Sequence, residues 1–130
     1  MREKLVFLGD VNSINIELIY KSHKFLKNKV KFLIIGNIND LSKYLNKLSS
    51  NIKINEIYNP LNFKNFKLNS LNNFNIENIS THKYKNLLNQ INIANQLANT
   101  LKIDLVTFDI TDNQIQNNFI RKEKNLVLID

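Results

Sequence analysis

The sequence contains few of the residues that create covalent links or unusual backbone conformations. Of its 130 residues none is cysteine, none is tryptophan, one is proline and two are glycine. The lack of cysteine excludes disulfide bridges, zinc–thiolate sites and thiol nucleophiles. No apolar run approaches the roughly 18 residues that a membrane helix needs, and the first residues do not form a signal peptide. We therefore expect a soluble cytoplasmic protein with no membrane partner.

Negative charge is also scarce, since 18 lysines and arginines outweigh 11 acidic residues and give a formal net charge of +7. Such an excess raises the question of nucleic-acid binding. The lysines, however, are scattered through every segment and do not form a block. Asparagine, isoleucine and lysine are abundant together, which is typical of a protein from an AT-rich genome. We predict a solvated basic surface and no nucleic-acid partner.

The two glycines mark the strongest pattern in the chain. Gly9 follows the apolar run 4–8, and Gly36 follows the apolar run 30–35. Each glycine predicts a turn at the end of a strand. Between them, possible caps at 10–13 precede residues at helical spacing, which predicts a helix and hence one βαβ unit. The predicted helix face consists of Ile14, Leu18, Ile19, Ser22, Phe25 and Leu26.

The next segments repeat this alternation of helix and strand. Asn39 or Asp40 can cap a second helix, and strict alternation over 52–57 predicts a strand that lies near an edge or has a polar face. The apolar face of that helix consists of Leu41, Tyr44, Leu45 and Leu48. Residues 58–79 form a long connection with no clean period. A loop of this length predicts a short strand within it or contact with another domain or subunit.

The C-terminal part begins with the strongest amphipathic pattern. Ser80 or Thr81 can cap a helix that extends to Leu101, and the strand 103–108 follows. A weaker helix over 113–121 and the apolar run 125–130, an edge strand or a truncated frame, complete the pattern. We predict an α/β fold with a mostly parallel sheet of βα units, flanked by helices in three layers.

Ligands of open parallel sheets bind at the carboxyl ends of the strands. The loop after the first strand is therefore the candidate substrate-side loop, with Gly9, Asp10, Asn12 and Ser13 as its members. A helix N-terminus there favours anions, although the same residues serve equally as a structural turn and cap. A dinucleotide loop needs three glycines, so no conventional NAD site is expected here.

The other candidates for chemistry are histidines and aspartates. His23 and His82 have no carboxylate pair nearby, so we expect no metal site and place both on solvated helix surfaces. Asp104, Asp109 and Asp112 surround the end of the strand 103–108, where catalytic side chains tend to project. Asp109 and Asp112 can equally act as turn and cap residues.

The order of these segments resembles the N-terminal part of the 4-hydroxythreonine-4-phosphate dehydrogenase family of pyridoxal phosphate biosynthesis. Family members open with a strand followed by Gly-Asp-Pro-Ala-Gly-Ile-Gly-Pro-Glu, of which residues 9–17 keep Gly9, Asp10, Ile14 and Glu17. Val11 replaces the proline, and asparagine stands at 12 and 15, where the family has small residues. The other similar stretches are 32–36 with 41–45, 79–80 with 103–107, and 108–112, where only Ile110 is retained.

The resemblance implies the first part of a two-domain, homodimeric enzyme. Its reaction would be the NAD-dependent, divalent-metal-assisted oxidation and decarboxylation of a phosphorylated hydroxy amino acid. The family's metal-binding histidines and its phosphate contacts, including a His-Thr pair, lie downstream of the similar region. Thr81-His82 has the wrong order and place to be that pair. Catalytic, cofactor-binding and metal-binding residues are therefore not assigned in this chain.

Two hypotheses of different class follow. The first is a fragment or degenerate copy of such a dehydrogenase, which contributes Gly9, Asp10 and the next helix to one wall of the cleft. The second is a non-catalytic α/β remnant that acts as a dimerising or phosphate-ligand-binding module. It is motivated by the loss of motif glycines beside retained core periodicity.

Overall fold

The computed structural model describes residues 2–10, 15–61, 65–107 and 126–128, with backbone alone at 15 and 126–128. The predicted first helix, the strand predicted over 52–57 and the predicted terminal strand have counterparts in it. Asn12, Ser13 and the predicted helix 113–121 lie outside the described residues. The elements in chain order are β1 (Arg2–Phe7), α1 (Asn15–Leu26), β2 (Val30–Gly36), α2 (Ile38–Lys47), β3 (Lys53–Glu56), β4 (Ser70–Asn75), α3 (Lys83–Leu101), β5 (Leu105–Thr107) and β6 (Leu126–Leu128).

The described strands form one six-stranded sheet in the order β3-β4-β2-β1-β5-β6. Every strand pair in the described part of the chain is parallel. The predicted α/β fold is thus confirmed. The alternating strand predicted over 52–57 is β3 and lies at one edge of the sheet, as its pattern indicated.

Alternate residues of β1 are buried on opposite faces of the sheet. Leu5 and Phe7 belong to a core that includes Ile91, Ala94 and Ala98 of α3. Val6 lies in a second core, which takes its helical members from α1 and α2 (Ile16, Ile19, Leu41 and Leu45). Because a strand directs successive side chains to opposite faces, the apolar run of β1 serves both cores. The three-layer arrangement follows from this.

Glycine is required at Gly9 and at Gly36 for different structural reasons. Gly9 has a φ of 72°, a left-handed conformation that favours glycine, and this agrees with the predicted turn. Gly36 has no positive φ and is the last residue of β2. A Cβ atom at Gly36 would lie 2.5 Å from the Cβ of Leu8. The predicted strand end at Gly36 is confirmed, but glycine is required there for space beside Leu8, the residue after β1, and not for a left-handed conformation.

The predicted core face of α1 is partly wrong. Phe25, which the helical spacing placed on that face, is 81% exposed. The buried positions are Ile16, Ile19 and His23, which are spaced by three and four residues along one side of the helix. The face that contacts the sheet is therefore rotated from the one that apolar residues alone indicated.

The long connection contains the strand β4, which confirms the prediction of a short strand within 58–79. Yet β4 lies inside the sheet, between β3 and β2. Its asparagines hold neighbouring backbone: Asn72 Oδ1 accepts from the Lys67 N–H at 3.0 Å, and its Nδ2 donates to the Lys67 carbonyl at 2.9 Å. These bonds satisfy a buried amide and fix the turn before β4.

Two helices begin elsewhere than predicted. Asn37 caps α2, and its Oδ1 accepts from the N–H groups of Asn39 at 3.0 Å and Asp40 at 3.2 Å. The predicted caps Asn39 and Asp40 were wrong because both lie in the first turn. The helix α3 follows His82 as N-cap, with no side-chain cap bond. Ser80 and Thr81, the predicted caps, precede that position.

Candidate functional site

A cleft of about 430 Å³ opens at the edge of the sheet where β1, β2 and β4 end. We call this edge the carboxyl edge and the cavity the carboxyl-edge cleft. Its volume falls in the range of small-molecule sites, and its place is the one at which open parallel sheets bind ligands. The cleft is lined by Gly9, Asp10, Asp40, Asn78, Ser80, Thr81, Lys83, Asn86, Leu87 and Gln90.

Asparagine side chains fix the backbone beneath the cleft. Asn37 Nδ2 donates to the Ile76 carbonyl at 3.2 Å, and Asn75 Oδ1 accepts from the Ile38 N–H at 2.9 Å. The start of α2 is thus bonded to the end of β4 in both directions. These two hydrogen bonds, which are at least partly buried, give the floor of the cleft a fixed shape.

The segment before α3 is held in a similar way by Asn86. Its Oδ1 accepts from the N–H groups of Ile79 at 2.9 Å and Ser80 at 3.0 Å. Its Nδ2 donates to the Ser80 carbonyl at 2.8 Å. Asn86 therefore has a structural role: it fastens the strand-to-helix segment that forms one rim of the cleft.

Gln90 lies on α3 one turn after Asn86 and differs from it in its hydrogen bonding. Its residue exposure is 3%, and it lines the cleft. Its amide takes part in no hydrogen bond within the part of the chain that the structure describes. Neither of its amide atoms is sealed from solvent, since Asn73 Oδ1 is the sole fully enclosed unpaired atom among described residues. A buried amide without a protein partner, facing a cleft, is available to a ligand.

Three charged side chains line the cleft. The Lys83 ammonium forms an ion pair with the Asp10 carboxylate at 2.5 Å, which joins the start of α3 to the loop after β1. Asp40 belongs to none of the ion pairs found among the described residues. It lies in the first turn of α2, where a carboxylate is favoured by the helix dipole. The lining therefore carries one more negative than positive charge.

Two members of the predicted substrate-side loop lie at the cleft, and their role toward a substrate stays a prediction. Gly9 and Asp10 line the cleft, whereas Asn12 and Ser13 lie outside the described residues. Sequence reasoning missed Lys83, Asn86 and Gln90. A signal was present, because Asn86 and Gln90 interrupt the apolar face of α3 with two amides four residues apart, on the same side of the helix.

His23 is not on a solvated surface, and that prediction was wrong. It is buried on α1, and its Nε2 lies 3.1 Å from the Leu68 carbonyl. Burial lowers the pKa of its imidazole, the positive charge of Lys27 lowers it further, and the Leu68 carbonyl opposes the shift. A neutral His23 that donates to a backbone carbonyl is a core residue. His82 is exposed, as predicted, and is not part of the cleft lining.

Asp104 does not join a carboxylate cluster at the carboxyl edge. It directly precedes β5, and its carboxylate pairs with Lys4 at 2.6 Å. Since the described strands are all parallel, it lies at the opposite edge from the cleft. The prediction failed because the strand begins at Leu105, later than the apolar pattern indicated. Asp109 and Asp112 lie outside the described residues.

The described residues do not fit a metal site: none of their His, Cys, Asp and Glu side chains form a group of three that could hold an ion. His23 is engaged with Leu68, and His82 is exposed away from the lining. Gly9 is the only glycine in the loop after β1, so a three-glycine dinucleotide loop is not formed there. No helix in the described part of the chain is long and apolar enough to cross a membrane.

Comparison with known proteins gives similarity at the level of structure. No protein-family model and no curated protein matches the sequence. A solved 4-hydroxythreonine-4-phosphate dehydrogenase from Burkholderia phymatum matches 90% of this chain with a TM-score of 0.72 and 16% identity. A protein assigned to the same activity from Salmonella typhimurium matches 91% with a TM-score of 0.63 and 13% identity. The chain spans 38% and 40% of these two proteins. Its α/β fold is that of the corresponding part of these dehydrogenases.

Proposed function

We propose that this chain forms one substrate-binding wall of a dehydrogenase that acts on 4-phosphooxy-threonine or a close analogue. One observation carries the proposal: the carboxyl-edge cleft contains a buried amide, Gln90, with no protein partner in the described part of the chain. The similarity in fold to 4-hydroxythreonine-4-phosphate dehydrogenases supplies the reaction class. The resemblance of residues 9–17 to the family's opening motif supports the same assignment.

In such an enzyme NAD accepts a hydride from the substrate, and a divalent metal assists oxidation and the following decarboxylation. The described residues of this chain would form neither the NAD site nor the metal site. Their part is to bind and orient: Gly9, in its left-handed conformation, brings the backbone close to the cleft, and the Asp10–Lys83 pair ties the loop to α3. We expect this chain, alone, to bind substrate without oxidising it.

An NMR titration of the purified chain with 4-phosphooxy-L-threonine tests the proposal. We expect the largest shifts at Gly9, Asp10 and Gln90, with a dissociation constant on the order of 1 mM, because one wall supplies only part of a binding site. Residues at the opposite edge, such as Asp104, should not respond. Shifts confined to that opposite edge, or none at high ligand concentration, would overturn the proposal.

Turnover assays separate this proposal from the second hypothesis, a non-catalytic binding module. The chain is incubated with NAD, 4-phosphooxy-L-threonine and Mn²⁺, and absorbance of NADH is followed. Ligand binding without NADH formation fits both hypotheses for the isolated chain. NADH formation would contradict the statement that this chain alone is insufficient. Extension of the chain with the remaining part of the Burkholderia phymatum protein should restore NADH formation under the first hypothesis only.

A further inference from the structure

The carboxyl-edge cleft offers three kinds of unused binding capacity. The first is the side-chain amide of Gln90, a residue that is only 3% exposed. This amide has both a donor and an acceptor to offer. Both amide atoms remain open to the cleft, so a ligand there can bond to them. A group that both donates and accepts, such as a hydroxyl, can use the donor and the acceptor together.

The second capacity is negative charge. Lys83 is already paired with Asp10, and Asp40 has no ion-pair partner among the described residues. A dianionic phosphate would add two negative charges to this excess of carboxylate, whereas a zwitterionic amino acid head adds no net charge. An ammonium group would reduce that excess and would be attracted in a partly enclosed cleft, where solvent screens charges less than at an open surface.

The third capacity is the N-terminus of α3. The N-cap residue of α3, His82, makes no side-chain cap bond. The His82 carbonyl accepts a hydrogen bond from the Asn86 N–H at 3.2 Å. The His82 side chain therefore does not cap the first turn, and Lys83 in that turn lines the cleft. A helix N-terminus favours an anion, and the carboxylate of a zwitterionic amino acid is an anion that brings no net negative charge into the cleft.

We propose that the carboxyl-edge cleft binds the α-amino acid head of a hydroxylated amino acid, and not its phosphate. Gln90 hydrogen-bonds the hydroxyl, the excess carboxylate represented by Asp40 attracts the ammonium, and the start of α3 receives the carboxylate. This assignment rests on the proposed function for the identity of the substrate. It adds which end of the substrate this chain recognises and makes Gln90 the residue that selects for a hydroxyl.

L-Threonine is a suitable probe, because it carries the head and hydroxyl without phosphate. We follow the side-chain amide signals of Gln90 by NMR while titrating L-threonine, 3-hydroxybutyrate, which lacks the ammonium, and inorganic phosphate. L-Threonine should shift the Gln90 signals with millimolar affinity. 3-Hydroxybutyrate should bind at least tenfold more weakly, and phosphate should leave the signals unchanged up to the same concentration.

Variants locate the binding. Gln90→Met keeps the side-chain length and removes the amide. Asp40→Asn removes the negative charge of the Asp40 carboxylate. Each should weaken L-threonine binding about tenfold, as measured by backbone shifts of Gly9 and Ser80, the order expected when a buried hydrogen bond or a charge contact is lost. Asp104→Asn makes the same charge change at the opposite edge and should leave the affinity unaltered. Circular dichroism confirms that each variant is folded.

The outcomes separate this inference from the proposed function. If 4-phosphooxy-L-threonine binds in the cleft while L-threonine does not, or if phosphate alone shifts Gln90, the inference is wrong and the proposed function stands. If L-threonine binds and its phosphorylated analogue does not, the inference stands and the proposed function is wrong. If neither amino acid binds, both are overturned.

Discussion

Gly36 and Leu8 lie in such close contact that no side chain fits between them. A Cβ atom at Gly36 would stand 2.5 Å from the Cβ of Leu8 and 2.7 Å from its Cδ2. Leu8 is itself buried, with an exposure of 1%, so it has little room to move aside. The packing of the end of β2 against the residue that follows β1 depends on this glycine.

Gly36→Ala should therefore destabilise the fold by about 1–3 kcal/mol, the range for an overpacked core. The free energy of unfolding is measured by urea denaturation. Ser42→Ala, on the exposed side of α2, is the control and should change stability by less than about 0.5 kcal/mol. A Gly36→Ala protein as stable as the parent would contradict the close packing of β1 against β2.

Asn37 combines a helix cap with a bond to β4. Asn37→Ala removes both, and the expected loss is about 1–3 kcal/mol of unfolding free energy. Asn37→Ser keeps an oxygen that can cap α2 but loses the donor to the Ile76 carbonyl, so it should lose less. Urea midpoints of the three proteins measure this order. Equal stability of the alanine and serine variants would show that the cap contributes nothing.

The buried His23 predicts a pH dependence of stability. Its pKa in the folded chain lies below its ordinary value of 6.5, so the unfolded chain takes up the proton first as pH falls. The stability that neutral His23 contributes is fully present above pH 6.5 and decreases as pH falls from 6.5 toward the lowered pKa. Stability should therefore rise with pH through this window.

Urea midpoints between pH 5 and pH 8 test this, with His23→Gln to remove the titrating group. The variant should show a flatter profile than the parent across the window below the ordinary histidine pKa. Ser42→Ala, the exposed control on α2, should reproduce the parent profile. Parallel profiles for the parent and His23→Gln would contradict the assignment of the pH dependence to His23.

The net charge of +7 predicts weak, salt-sensitive attraction to nucleic acids and no specific site. Fluorescence anisotropy with a short single-stranded DNA should detect binding at low salt that disappears near about 0.15 M. Charge reversal at one exposed lysine, Lys43→Glu, should have a small effect, similar to that of Lys85→Glu on another helix. Tight binding that persists at physiological salt would contradict the solvated-surface interpretation of the lysines.

Periodicity was sufficient to predict the elements that bury apolar residues. The apolar runs that became β1 and β2, each closed by a glycine, indicated buried strands, and the spacing of Leu41 and Leu45 indicated the inner face of α2. Polar residues in the core limited the prediction. Asn72 and Asn73 are almost fully buried in β4, with exposures of 1% and 0%, so the sequence of 58–79 showed no clean period and did not locate the short strand predicted within it.

The same limit applies to α1 and to the cleft. His23 replaces an apolar residue on the buried side of α1, while Phe25 lies exposed, so apolar spacing indicated a rotated face. Gly9 and Asp10 were predicted from their place after a strand, a rule of sheet topology. Gln90 could not be found in that way, because its role depends on which amides of α3 gain a protein partner, and this requires coordinates.

A crystal structure of the chain with 4-phosphooxy-L-threonine is the most direct measurement of the central claim. We expect density for the amino acid head in the carboxyl-edge cleft, within hydrogen-bond distance of the Gln90 amide and with its ammonium toward Asp40. Soaking the Gln90→Met protein under the same conditions should give no ligand density there. Ligand bound at the opposite edge of the sheet, or in the cleft without contact to Gln90, would contradict the claim.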